Sequence, residues 1–199
     1  MLAEKIPAIQ QALIDAGLDG WFFSCFQKND PVSLELLGLT DKMVSRRCYY
    51  FIPSQGEPRK LVHLLEPAML EHLPGEKNGY LTWQQHSAAF AGLVEGNQRI
   101  AAQYSPGNEL PSNSRLDAGT AEVLETLGLE LISSADLVQQ FAAVWTTEQL
   151  DGHRQSSRLL HEIVKEAFAT VRSALQTGRP IDEYVVQQFI LASFDREKL

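Results

Sequence analysis

Apolar positions recur at helical spacing from the start of the chain. Leu2, Ile6, Ile9, Leu13 and Ile14 predict a helix over 2–17, with Gly17 suited to its C-terminal cap. Pro7 fits that helix only if it lies in the first turn. Asp19-Gly20 then turns into Trp21-Phe22-Phe23-Ser24-Cys25-Phe26, a run apolar on both faces, as an inner strand requires. Residues 27–46 read as polar and irregular, apart from a short apolar piece around Leu34, Leu36 and Leu37. Cys48–Ile52 and Lys60–Leu65 are strand-like, and the turn formers Pro53–Pro58 between them predict a hairpin. After Glu66-Pro67 the pattern turns helical to about Leu73, followed by a short strand at Tyr80–Trp83. A helix over 84–95 places Phe90, Leu93 and Val94 on one side, and Arg99–Tyr104 is another strand. Asp117 caps a helix that Gly128 ends, Leu129–Ile132 is a strand, and Ser134 caps a helix to about Val144.

Helices alternating with short strands over 1–144 predict an α/β layer architecture, a mixed β-sheet flanked by helices. The hairpin means that the sheet is not purely parallel. The pattern changes at Trp145. Thr146 and Gln149 occupy the reciprocal positions of a capping box, and nothing breaks a helix from there to Gln176. A helix of about 28 residues spans about 42 Å. Gly178 and Pro180 stop it, and a last helix follows from Asp182 to about Phe194. This predicts two domains, 1–145 and 146–199. Two helices cannot bury stripes as wide as Leu160–Leu175 and Val185–Phe194 by themselves. Either they pack on the first domain or the chain is cut inside the second, and the ending Arg196-Glu197-Lys198-Leu199, without turn chemistry, fits a cut.

Composition narrows the function classes. The 199 residues have ordinary globular apolar and charged fractions, which argues against global disorder. The net charge of −8, without a basic tract, argues against nucleic acid and anionic membrane as partners. No apolar run reaches membrane-spanning length, and the first residues lack a signal-peptide core. Two cysteines, Cys25 and Cys48, with no CxxC spacing read as buried thiols of a reducing cytoplasm.

Motifs for chemistry are sparse. There is no GxSxG elbow, P-loop or GxGxxG. His161-Glu162-Ile163-Val164-Lys165 has lysine where HExxH needs its second histidine, so two imidazoles cannot meet on one helix face. His63 and His72 read as structural histidines. The polar cluster that stands out is Ser45-Arg46-Arg47, leading into the strand at Cys48. Adjacent guanidinium forks at a strand mouth suit a carboxylate, or a pair of structural ion pairs on a solvated loop.

The order of these features resembles the N-terminal domain of the creatinase/prolidase family, which precedes the pita-bread catalytic domain of Xaa-Pro aminopeptidases and prolidases. Four segments carry the resemblance: Gly17–Phe23 after the opening helix; Arg46–Pro53 with Gly56-Glu57-Pro58; Arg99-Ile100-Ala101; and Trp145–Leu150 followed by Arg154. Leu34–Leu39 keeps only a leucine and a glycine of the family's second-loop pattern, which places the chain in a divergent branch. The resemblance implies a mixed-sheet N-terminal domain and, at 146–199, the first helices of a truncated catalytic domain. The parent protein would be a cytoplasmic metallopeptidase using two divalent ions (manganese, cobalt or zinc) on short proline-containing peptides. No position in 1–199 matches that family's metal ligands, so the chain itself is expected to be inactive, with no cofactor and no catalytic residue. Its expected role is to form a homodimer and restrict substrate access, with Arg46 and Arg47 on the access loop. The alternative is a peptide- or protein-binding module derived from a peptidase that has lost its metal ligands.

Overall fold

A computed structural model describes residues 2–199, which divide into two compact units, one ending at Val144 and one spanning Trp145–Leu199. The first unit begins with α1 (Leu2–Asp15), whose Leu2, Ile6, Ile9 and Leu13 are buried. Pro7 lies inside α1, beyond its first turn, and faces solvent, where its missing N–H and its ring are tolerated. Then come β1 (Gly20–Cys25), α2 (Pro31–Leu36), β2 (Cys48–Pro53) and β3 (Arg59–His63). The unit continues through β4 (Glu76–Tyr80), α3 (Trp83–Val94), β5 (Arg99–Ala102), α4 (Ala118–Thr126), β6 (Glu130–Ser133) and α5 (Ala135–Phe141).

The strands form one sheet in the order β4-β3-β2-β1-β5-β6. β2 runs antiparallel to β1 and to β3, and the other neighbours are parallel. The sheet is therefore mixed, and its lone reversed strand is the one that Arg46-Arg47 leads into. Both faces are covered, so the central strands carry apolar residues at most positions on both faces. Trp21, Phe23, Cys25, Cys48, Tyr50, Ile52, Val62 and Ala101 point into a core shared with α1, α2 and α5. Phe22, Tyr49, Phe51, Leu61, Ile100 and Ala102 point into the opposite core, with Phe90 of α3 and Leu124 of α4. A Cβ on Gly20 would fall 2.2 Å from the Phe51 ring, so glycine lets the paired strand lay that ring across β1.

Several segments differ from the pattern of the sequence. The stretch 27–46 contains α2, which Asp30 caps by accepting from the backbone N–H groups of Val32 and Ser33, with Pro31 in the first turn. Residues 67–73 form successive turns rather than a helix; Leu70 adopts a positive φ of 61°. The strand expected at 80–83 instead occupies Glu76–Tyr80, held parallel to β3, and Thr82 caps α3 through a capping box with Gln85. Ser134 precedes α5 without capping it; its hydroxyl donates to Asn113 Oδ1 at 3.4 Å.

The second unit is α6 (Thr147–Thr177) and α7 (Glu183–Glu197). Thr146 and Gln149 form the capping box of α6, and Gly178 ends it at φ 66°. The two helices pack on each other, with Arg196 paired to Glu166 at 3.0 Å. Phe168 and Leu175 on α6 remain 70% and 71% exposed. Among the described residues no helix is long and apolar enough to cross a membrane.

Candidate functional site

The parallel strands β1, β3, β4, β5 and β6 all end at one edge of the sheet, and β2 begins there. Arg46 and Arg47 stand at that edge. The loop carrying them is fixed by Glu66, whose carboxylate accepts from the backbone N–H of Ser45 (3.2 Å), from that of Arg46 (3.3 Å) and from the Ser45 hydroxyl. Tyr80, at the end of β4, donates its hydroxyl to the Arg47 carbonyl at 2.7 Å. The backbone carrying the arginine pair is thus hydrogen-bonded on both sides, by Glu66 and by Tyr80.

Both arginines are exposed, and neither forms an ion pair among the described residues. Arg46 Nη1 donates to the carbonyl of Ser45 at 3.1 Å. The Arg47 guanidinium lies 5.9 Å from the centroid of the Phe26 ring, just past the end of β1. Behind it is an aromatic box that sequence reading missed. Tyr49 of β2 packs against His86 and Phe90 of α3, Tyr80 of β4 against His86, and His63 of β3 against Tyr80, through edge-on and tilted rings, with His86 stacked on Phe90, all 4.8–5.6 Å apart. His86 Nε2 lies 3.0 Å from the Tyr49 hydroxyl. No spacing signal announces this box, because its members come from four elements that only the sheet brings together.

The electrostatics suit binding rather than proton transfer. Burial, reinforced by the nearby Arg47 charge, lowers the pKa of His86 and favours its neutral form. Burial pushes Tyr49 above its ordinary range, with Arg47 pulling the other way, and pushes Tyr80 up to about 12. Both phenols therefore stay protonated at neutral pH. The exposed chemistry of the rim is two adjacent guanidinium forks, that of Arg47 lying near the Phe26 ring, chemistry suited to a carboxylate or another planar anion.

A second polar cluster lies nearby under α2. Asp30 is buried and accepts from Ser33, and the Ser33 hydroxyl accepts from Gln103 at 2.9 Å. Every member has partners, so it joins α2 to the end of β5 and offers no free group. Among the described residues no three His, Cys, Asp or Glu side chains gather in a way that could hold a metal ion. The described residues do not fit the two-metal centre that the resemblance implies for a parent protein. His153 packs against the Trp145 ring, and His161 bonds to the Ser157 carbonyl at 2.8 Å, so the two imidazoles serve different local contacts.

No family model and no curated protein matches the sequence. Solved structures do match in fold. The creatinase/prolidase N-terminal domain of an X-Pro dipeptidase from Streptococcus pyogenes aligns at TM-score 0.52 and 19% identity, covering 69% of this chain and 98% of that domain. The Xaa-Pro dipeptidase from Bacillus anthracis aligns at 0.53 and 16%, covering 99% of this chain and 50% of the dipeptidase. Dipeptidase PepE from Mycobacterium ulcerans aligns at 0.56 and 14%, covering 96% of this chain and 49% of that one. The chain thus carries the creatinase/prolidase N-terminal fold and spans about half the length of these two dipeptidases.

Proposed function

We propose that this chain is the non-catalytic N-terminal region of a Xaa-Pro peptidase-like protein, forming a homodimer and restricting access to short proline-containing peptides. In this reading residues 1–145 are the creatinase/prolidase-type domain and 146–199 open a pita-bread catalytic domain. The observation that carries it is the near-complete alignment of the chain onto half of a Xaa-Pro dipeptidase. Arg46 and Arg47 supply the access function. Among the described residues their forks have no carboxylate partner, which leaves them available to the carboxylate of a short peptide. The metal chemistry, with manganese, cobalt or zinc, belongs to the parent protein, which acts in the cytoplasm.

Two solution measurements on the 199-residue chain test this reading. Sedimentation equilibrium is expected to give a dimer. Calorimetric titration with Ala-Pro is expected to show binding that disappears with the peptide amide and with Arg46→Ala plus Arg47→Ala. A monomer at every concentration, together with binding indifferent to the terminal carboxylate, overturns it.

A further inference from the structure

The chain has two cysteines in 199 residues, and they face each other. Cys25 is the last residue of β1, Cys48 is the first of β2, and they are direct cross-strand partners in the antiparallel ladder. Both side chains point into the same core, at 0% and 2% exposure. Facing residues of an antiparallel pair have Cα atoms about 4.5–5.5 Å apart. A disulfide needs about 4.4–6.8 Å. The Cα spacing expected of facing strand residues therefore falls within the range that a bridge requires.

The surroundings place this pair directly beneath the arginine mouth. Phe26 follows Cys25, Arg47 precedes Cys48, and the guanidinium of Arg47 lies over the Phe26 ring. Beyond the pair the chain stays tied, since the Gln27 N–H donates to the Val44 carbonyl at 2.8 Å. Residues 26–47 thus form a loop closed near its base, with the two thiols flanking it at the strand ends.

We propose that Cys25 and Cys48 are a redox-modification site, a cross-strand dithiol that a hydroperoxide converts to a disulfide latching the base of the Arg46–Arg47 loop. One thiolate attacks the terminal oxygen of the hydroperoxide. The O–O bond breaks, the sulfur becomes a sulfenic acid, and the alkoxide leaves and takes up the proton lost by the thiol. The facing thiol then attacks that sulfur, forming the S–S bond and releasing water. In sum, two thiols and one hydroperoxide give one disulfide, one alcohol and one water, and a reducing thiol reverses the bridge by exchange. The hydrogen bond with Cys48 and burial both hold Cys25 protonated. Reaction therefore waits on opening of the strand ends, which gates the site.

The test exposes the native 199-residue chain to hydrogen peroxide. The expected result is loss of both titratable thiols, a mass decrease of two hydrogens with no added oxygen, and a peptide map joining the Cys25 and Cys48 segments within one chain. The melting temperature shifts upward, and dithiothreitol reverses every change. Cys25→Ala and Cys48→Ala each abolish the mass decrease. Thiols that stay titratable, sulfinic or sulfonic products, or a bridge between chains would each overturn the proposal. Should either variant fail to fold, the mass and peptide map of the unsubstituted chain still decide.

Discussion

The imidazole of His86, on α3, lies 3.0 Å from the hydroxyl of Tyr49, on β2, and joins the outer helix to the reversed strand beside Arg47. Burial first, then the Arg47 charge, depresses the pKa of His86 below its usual value of 6.5. Over the interval between the folded and unfolded values the unfolded chain binds more protons, so stability rises with pH. The contribution of neutral His86 is complete above the unfolded value and is lost as pH falls toward the folded one. Urea denaturation across this range should show stability decreasing on acidification, with a shallower slope in His86→Gln. Equal slopes would remove His86 as the cause.

Lys60 is a buried cation held by backbone carbonyls. The residue is 5% exposed, and its ammonium donates to the Leu73 carbonyl at 2.7 Å and the Leu70 carbonyl at 3.5 Å. It thereby fastens the 67–73 turns to β3. Lys60→Met keeps most of the length of the side chain but leaves those carbonyls without a donor, a loss of about 1–3 kcal/mol. Equilibrium denaturation measures it, and an unchanged or higher stability would show that the turns hold without the lysine.

Asp30 tests the α2 cap. Asp30→Ala removes the acceptor for Val32 and Ser33 and should cost about 1–2 kcal/mol, with Asp30→Asn costing less. Burial raises the Asp30 pKa, against the lowering effect of its Ser33 and Val32 hydrogen bonds. A raised folded value means that the folded chain holds its proton more tightly, so this group's contribution is present at low pH and is lost as pH rises through that value. The stability of Asp30→Asn relative to the parent sequence should therefore improve as pH rises out of the ordinary carboxylate range. A difference that does not vary with pH would contradict this assignment.

What the sequence revealed follows from where the physical signal is local. The hairpin of β2 and β3, the caps at Asp117 and Thr146 and the stop at Gly178 depend on neighbouring residues, and they stand where the pattern places them. α2 also had a local signal, the Asp30-Pro31 pair, obscured by the polar residues around it. β4 had none. Glu76-Lys77-Asn78-Gly79 is an exposed edge whose extended form comes from pairing with β3, a tertiary effect that overrides propensity. Residues 67–73 failed the other way, because the helical spacing of Met69, Leu70 and Leu73 is broken by the positive φ at Leu70. Arg46 and Arg47 could be singled out as adjacent charges at a strand mouth. Their aromatic backing could not, since Tyr49, Tyr80 and His86 are separated by up to 37 positions and meet only in the folded sheet.

Peptide hydrolysis tests the central claim most directly, that this chain is the non-catalytic part of a peptidase. The purified chain is incubated with Xaa-Pro dipeptides and tripeptides and with added manganese, cobalt or zinc. A water-activating metal centre needs several converging anionic or imidazole ligands, and the described residues offer no such group. The predicted result is product formation at the background rate with every metal. Turnover that depends on metal, stops with a chelator and follows the chain through successive purification steps would contradict the account.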